Sequence, residues 1–213
     1  MKIFIISFLI LFTSLLFAQV LQNEEPAAIP SDESEYLSDV IIVQGLYIRS
    51  LGNFEKVWTN ASGGYISYGM FFARHDMLNF QVGYLNYKLK DGLDYDDASL
   101  YVIPLLIGGR YLFIDSRFMP YISFMNGINI VNQTIEFEVE VDEEGNETIH
   151  IDDSSGNMTL VRYAFQVGFG IMINLVGSLN LDLAVKYNSN FYHTEAMNTG
   201  FEYGFGFAWS LNN

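Results

Sequence analysis

The amino-acid sequence predicts an all-β fold, an eight-stranded antiparallel up-and-down transmembrane β-barrel, and three observations carry that expectation. Half of the 213 residues are hydrophobic and 16% are aromatic, yet after residue 18 no apolar run approaches the ~20 residues of a membrane helix. Bulky apolar and small or polar residues alternate with a period of two in eight successive segments. The connections between those segments are long and short by turns, as in a barrel with tight turns at one membrane face and longer loops at the other.

Residues 1–18 open with Met1-Lys2, continue as an apolar run from Ile3 to Phe17 and close on Ala18 before Gln19. A charged start, an apolar middle and a small exit residue make up a secretory signal peptide, so cleavage is expected after Ala18. Residues 19–39 combine Pro26, Pro30 and a dense set of acids with little periodicity, and are expected to form a disordered acidic lead-in. The barrel is expected over 40–213.

In order, the alternating segments run over 40–49, 64–74, 77–90, 99–113, 118–131, 161–173, 178–188 and 200–211. Most match the ~9–11 residues of a tilted membrane strand. The connections are 14, 2, 8, 4, 29, 4 and 11 residues long. The short ones hold His75-Asp76, Ile114 to Arg117 and Asn174 to Gly177, with the Asp, Asn, Ser and Gly that tight turns favour. The longest carries its own alternation, Ile135 to Val141 and Thr148 to Ile151 around Asp142-Glu143-Glu144-Gly145-Asn146. That pattern predicts a hairpin projecting beyond the membrane.

The last segment sets Phe201, Tyr203, Phe205, Phe207, Trp209 and Leu211 on one face against Glu202, Gly204, Gly206, Ala208 and Ser210 on the other. The sixth and seventh repeat the contrast. A soluble barrel would have the same period with its apolar face inward, so the period alone does not identify the solvent. Eight strands enclose room only for their own side chains or one small ligand. The bulky faces are therefore expected to meet lipid and the Gly, Ala, Ser and Asn faces to line the lumen.

A basic residue on the lipid face near the midplane costs ~2–4 kcal/mol, a large share of the ~5–15 kcal/mol of a domain's net stability. Arg110 and Arg162 are expected to point inward. Asp182, Lys186 and Glu202 fall on the lumen side as well, and the five predict an ion-paired network inside the barrel. In the first segment Arg49 is expected inward with Gly45 and Tyr47, leaving Gln44 on the other face with Val40, Ile42, Leu46 and Ile48. Phe71, Phe72, Tyr111, Phe113 and Trp209 near one end, and Tyr65, Tyr163, Tyr187 and Tyr203 near the other, are expected to form interfacial girdles.

The formal net charge is −15, or −16 without Lys2 of the leader, from 9 basic against 25 acidic residues. Such a chain repels nucleic acid, which is excluded as a partner. The absence of Cys excludes disulfides, thiolate metal sites and a lipid-modified N-terminal cysteine. The acids concentrate in 24–39, 91–97 and 136–153. Asp91 to Asp97 is like a calcium loop, but Gly92 comes too early and no Glu closes the frame, so no metal is assigned. Gly168-Phe169-Gly170 and Gly204-Phe205-Gly206 lack the third Gly and the helix of a dinucleotide site, so no cofactor is assigned. Ser189, His193 and Glu195 are the nearest approach to a nucleophile, base and orienting acid. With Asn190, Asn198 and Gly200 around them a solvated loop is the simpler account, and no catalytic residue is assigned.

Ile103-Pro104-Leu105-Leu106-Ile107-Gly108-Gly109-Arg110-Tyr111-Leu112-Phe113, followed by Pro120-Tyr121-Ile122, resembles the fourth and fifth strands of the outer-membrane protein β-barrel domain family. Gly45-Leu46-Tyr47, Val82-Gly83-Tyr84 and the aromatic last segment are similar to that family too, and the resemblance covers most of 40–213. It implies a place in the bacterial outer membrane and insertion by the barrel-assembly machinery. A fold hosts many roles. The expectation is a non-enzymatic barrel with a side-chain-filled lumen, acting through long acidic extracellular loops, above all 132–160, in surface interaction or envelope stability. The expected contacts are outer-membrane lipid and an extracellular or envelope partner. A narrow channel for ions or small solutes is the alternative, followed by a lipid-modifying enzyme.

Overall fold

The computed structural model describes residues 39–93, 98–141, 147–152, 158–191 and 198–211. The expected signal peptide and nearly all of the acidic lead-in lie outside them. Ten strands follow in order: β1 (Asp39–Leu51), β2 (Trp58–Phe71), β3 (Asp76–Leu89), β4 (Leu100–Leu112), β5 (Phe118–Gln133), β6 (Glu136–Val141), β7 (Glu147–Asp152), β8 (Met158–Val176), β9 (Leu179–Phe191) and β10 (Asn198–Ser210). Eight of them close an all-antiparallel barrel in the order β1-β10-β9-β8-β5-β4-β3-β2, and β6 and β7 form a separate two-stranded sheet. Pairing of β1 with β10, from Val40 opposite Ser210 to Leu51 opposite Thr199, leaves the barrel without an open edge. Closure matters in hydrocarbon, where no water satisfies an unpaired backbone group.

The strands sit where the alternation places them, with one extension of note. β2 begins at Trp58, so Asn60-Ala61-Ser62-Gly63 pair with Arg49-Ile48-Tyr47-Leu46 of β1. Small polar residues read as loop, but a ladder bonds through backbone groups and tolerates them when its partner strand is long enough. The short connections close as tight turns. Gly177 holds a positive φ of 53° between β8 and β9, a conformation that favours glycine, and Asn174 Nδ2 donates to its carbonyl at 2.8 Å.

Outside, β10 shows Phe201, Tyr203, Phe205, Phe207 and Trp209, and the other strands contribute Ile66, Phe80, Val82, Ile107, Ile122, Val167 and Phe169, all exposed. A soluble protein does not expose an apolar belt of this size. Phe72, Tyr111, Phe113 and Trp209 face outward at the short-turn end, and Tyr163 and Tyr203 at the long-loop end, matching two girdles. Tyr65 departs from that expectation, being buried inside the lumen. Phe71 also turns partly inward, packed against the buried apolar cluster of the short-turn end.

β1 corrects the expected direction of the first strand. Val40, Ile42, Gln44, Leu46 and Ile48 are buried, whereas Arg49, Tyr47 and Gly45 face outward. Apolar bulk was a poor guide here because both faces of β1 carry it. The lumen accepts large side chains from β1 to β5 because the opposite wall is small. β8 to β10 bring Ala164, Gly168, Gly170, Ala184, Gly204, Gly206 and Ala208 inward, and a Cβ at Gly170 would lie 2.4 Å from the Tyr121 ring. One wall supplies volume and the other gives it room, so packing density holds across a narrow barrel.

Candidate functional site

The lumen is filled in three tiers, of which the middle one holds the charges. Arg110 Nη1 of β4 donates to Asp182 Oδ2 of β9 at 2.8 Å, and Lys186 Nζ of β9 lies 2.9 Å from Glu202 Oε1 of β10, all four side chains at 2% exposure or less. The positions follow from register, since Lys186 and Glu202 are direct cross-strand partners and Asp182 is level with Gly206. Arg162 is also buried, opposite Asn129 and nearer the long-loop end than Gln166.

Neutral donors reach both oxygens of Asp182 and one oxygen, Oε2, of Glu202. Asp182 accepts from Tyr121 Oη at 2.6 Å and from Gln44 Nε2 at 3.1 Å. Glu202 Oε2 accepts from Tyr65 Oη and Asn188 Nδ2, each at 2.8 Å, and from Gln166 Nε2 at 3.3 Å. Each cation also faces an aromatic ring: Arg110 lies 4.6 Å from the Tyr121 centroid and Lys186 5.2 Å from that of Tyr65. Gln81 and Ser67 extend the chain of bonds through Gln166. Ion pairs this dry persist when geometry is good and further donors satisfy the remaining lone pairs.

Two apolar tiers enclose this belt. At the short-turn end Val40, Ile42, Met77, Leu112, Tyr121, Met172 and Ala208 pack together. At the long-loop end Leu46, Ile48, Leu85, Tyr87, Leu100, Val102 and Val131 form a larger cluster with Phe54, Val57 and Trp58. Phe54 and Val57 belong to the β1–β2 connection, which folds onto the barrel mouth; Lys90 donates its backbone N–H to the Val57 carbonyl at 2.8 Å, and Phe54 meets Tyr87 edge to face at 5.3 Å. Between this cap and the polar belt lies a cavity bordered by Asn129, Gln166, Asn188 and Asn190, with about 10 Å³ open to the centre of a water molecule. That is roughly room for one water.

Gln44, Tyr65, Tyr121, Gln166 and Asn188, with Gln81 and Ser67 beyond them, are network members that the charge pattern of the sequence does not mark. Gln44 was detectable, as one amide on an otherwise apolar face is costly in lipid and cheap beside a lumen carboxylate. The tyrosines were not, because their rings suit either solvent. Ser189 is buried within β9, while His193 and Glu195 lie outside the described residues. The acidic run at 91–97 is described only to Leu93. Among the described residues no group of three or more His, Asp or Glu side chains is placed to hold a metal ion.

No family model matches the chain, and no curated protein does. Solved structures do. Neisserial surface protein A superposes with a TM-score of 0.54 at 16% identity, covering 81% of this chain and 97% of that one. A major outer membrane protein of Thermus thermophilus gives 0.54 at 12% identity, covering 82% and 99%. The chain has the fold of the small eight-stranded outer-membrane β-barrels. An exterior that suits hydrocarbon and a fold shared with such proteins locate this barrel in a bacterial outer membrane.

Proposed function

We propose that this outer-membrane barrel is a non-enzymatic, closed structure that acts through its long acidic extracellular connections, in surface interaction with an extracellular or envelope partner or in envelope stability. The filled lumen carries the reading. Two buried ion pairs span its middle, apolar side chains pack at both ends, and the cavity between the cap and the polar belt has room for about one water. A path for solute would require breaking buried charge pairs, each costing about 3–5 kcal/mol when one partner is lost. The longest connection supports a role outside the membrane: it contains the β6–β7 hairpin, paired from Glu136 opposite Asp152 to Val141 opposite Glu147 and separate from the barrel wall. Such loops on a rigid scaffold are where recognition concentrates.

Planar-bilayer recording on the purified protein tests closure. Silent membranes are expected, and discrete single-channel steps from the wild type would overturn it in favour of a narrow channel. That second reading draws on the continuous polar belt with Asn129, Asn188 and Asn190 beside the cavity. A lipid-modifying activity would show as an altered lipid A profile in cells expressing the wild type but not His193→Ala. Identical profiles are expected.

A further inference from the structure

Arg49 is the starting point, since it leaves the lumen for the outside at the long-loop end. In register it is level with Asn60 of β2, which is level with Lys88 of β3. Arg49 and Lys88 are both exposed, so a row Arg49–Asn60–Lys88 lies on the outer wall. With neighbouring strands ~4.8 Å apart, the two cationic residues have backbones about 10 Å apart, a span their long side chains can close on one anion. In a chain of net charge −15 this concentration of positive charge is against the general trend. Lys88 Nζ lies 3.5 Å from Asp91 Oδ1, a pair 73% and 93% exposed. So exposed a contact adds little and yields to a stronger anion.

The next rows toward the membrane interior change character. Tyr47 is level with Ser62, and Ser62 with Asn86; one row further in, Gly45 is level with Gly64. Tyr47 lies 6.4 Å from Tyr203 on one side, and Tyr84 stacks on Tyr101 at 5.8 Å on the other. The outer wall thus has a furrow floored by Ser62, Gly64 and Gly45 and flanked by two aromatic pairs, directly beneath two cations. Because this wall faces lipid at the outer leaflet, the occupant that satisfies both the charge and the furrow is a lipid with an anionic head.

We propose that the outer surface of β1 to β3 at the long-loop end binds a phosphorylated lipid of the outer leaflet, its phosphate between Arg49 and Lys88 and an acyl chain along the Ser62–Gly64–Gly45 furrow. Arg is suited to this task because its planar fork meets two phosphate oxygens at once. The site does not depend on the loop reading above, and its failure would leave that reading untouched.

The test is lipid binding by the full-length mature protein in micelles, followed by native mass spectrometry, with folding checked by gel mobility. The probes are diphosphorylated lipid A and the same lipid stripped of phosphate, with inorganic phosphate as competitor. The wild type is expected to prefer the phosphorylated probe. Arg49→Gln with Lys88→Gln should weaken that probe about tenfold and leave the stripped one unchanged, and Arg49→Lys should restore part of the loss. Gly45→Val should weaken both probes; the nearest atom to an added Cβ there is the Phe205 carbonyl oxygen at 3.8 Å, so the fold is spared. Equal binding of the phosphorylated probe by the wild type and the double variant would overturn the site. So would displacement by millimolar inorganic phosphate, which would make it a simple anion site.

Discussion

The Lys186–Glu202 pair makes an unequal prediction. Losing one partner of a buried pair costs about 3–5 kcal/mol, and the hydrogen bonds decide where in that range each substitution falls. Lys186→Met leaves the Glu202 carboxylate with Tyr65, Asn188 and Gln166 as donors, so a loss of about 3 kcal/mol is expected. Glu202→Leu leaves an ammonium facing the Tyr65 ring and takes the acceptor away from those three donors. About 5 kcal/mol is expected there. The double variant removes both charges together and should fall short of the sum by about 2 kcal/mol or more, on the order seen for coupled groups. The assay is denaturant unfolding in micelles, read by the mobility of folded and unfolded bands. A larger loss for Lys186→Met than for Glu202→Leu, or strict additivity, would refute the assignment of donors to Glu202. The exposed Arg74–Asp115 pair, at 3.4 Å and 61% and 41% exposure, is the internal control; Asp115→Asn should cost no more than ~1 kcal/mol.

Further consequences are open to direct measurement. Trp58 is 1% exposed inside the lumen cap and Trp209 is 59% exposed on the outer wall, so brominated lipids should quench the wild type strongly and a Trp209→Phe variant weakly; equal quenching would contradict the cap. Gly108→Ala puts a Cβ 1.9 Å from the Phe124 carbonyl oxygen and should abolish assembly of the folded band, whereas Gly45→Ala should assemble normally. Gln44→Leu removes the Nε2 donor to Asp182 but leaves Arg110 and Tyr121 in place, and should lower stability by about 1–2 kcal/mol, measured as above.

Strand number, the alternation of connections and the inward direction of β8 to β10 were legible in the sequence, because a period of two with Gly and Ala against aromatics has one arrangement in a barrel this narrow. The same volume argument failed on β1. There Val40, Ile42, Leu46 and Ile48 face Gly45, Tyr47 and Arg49, both faces carry apolar bulk, and the one amide that decides the direction weighs little in a pattern count. Tyr65 shows the matching limit. A tyrosine near a strand end fits an interfacial girdle as well as it fits a lumen, and its hydroxyl reveals which only when an acceptor such as Glu202 stands 2.8 Å away.

What the sequence determined by itself was local: how many times the chain crosses, where it turns, and which residues share a face, all consequences of the strand's two-residue period. Tertiary structure alone decided which charges meet. Arg110 and Asp182 are 72 positions apart and Tyr65 and Glu202 are 137 apart, and no periodicity links them. Barrel closure and register bring them across a lumen too narrow to leave either carboxylate unpaired. The same register sends Arg49 outward, beside Asn60 and Lys88, where it meets the outer leaflet instead of the network.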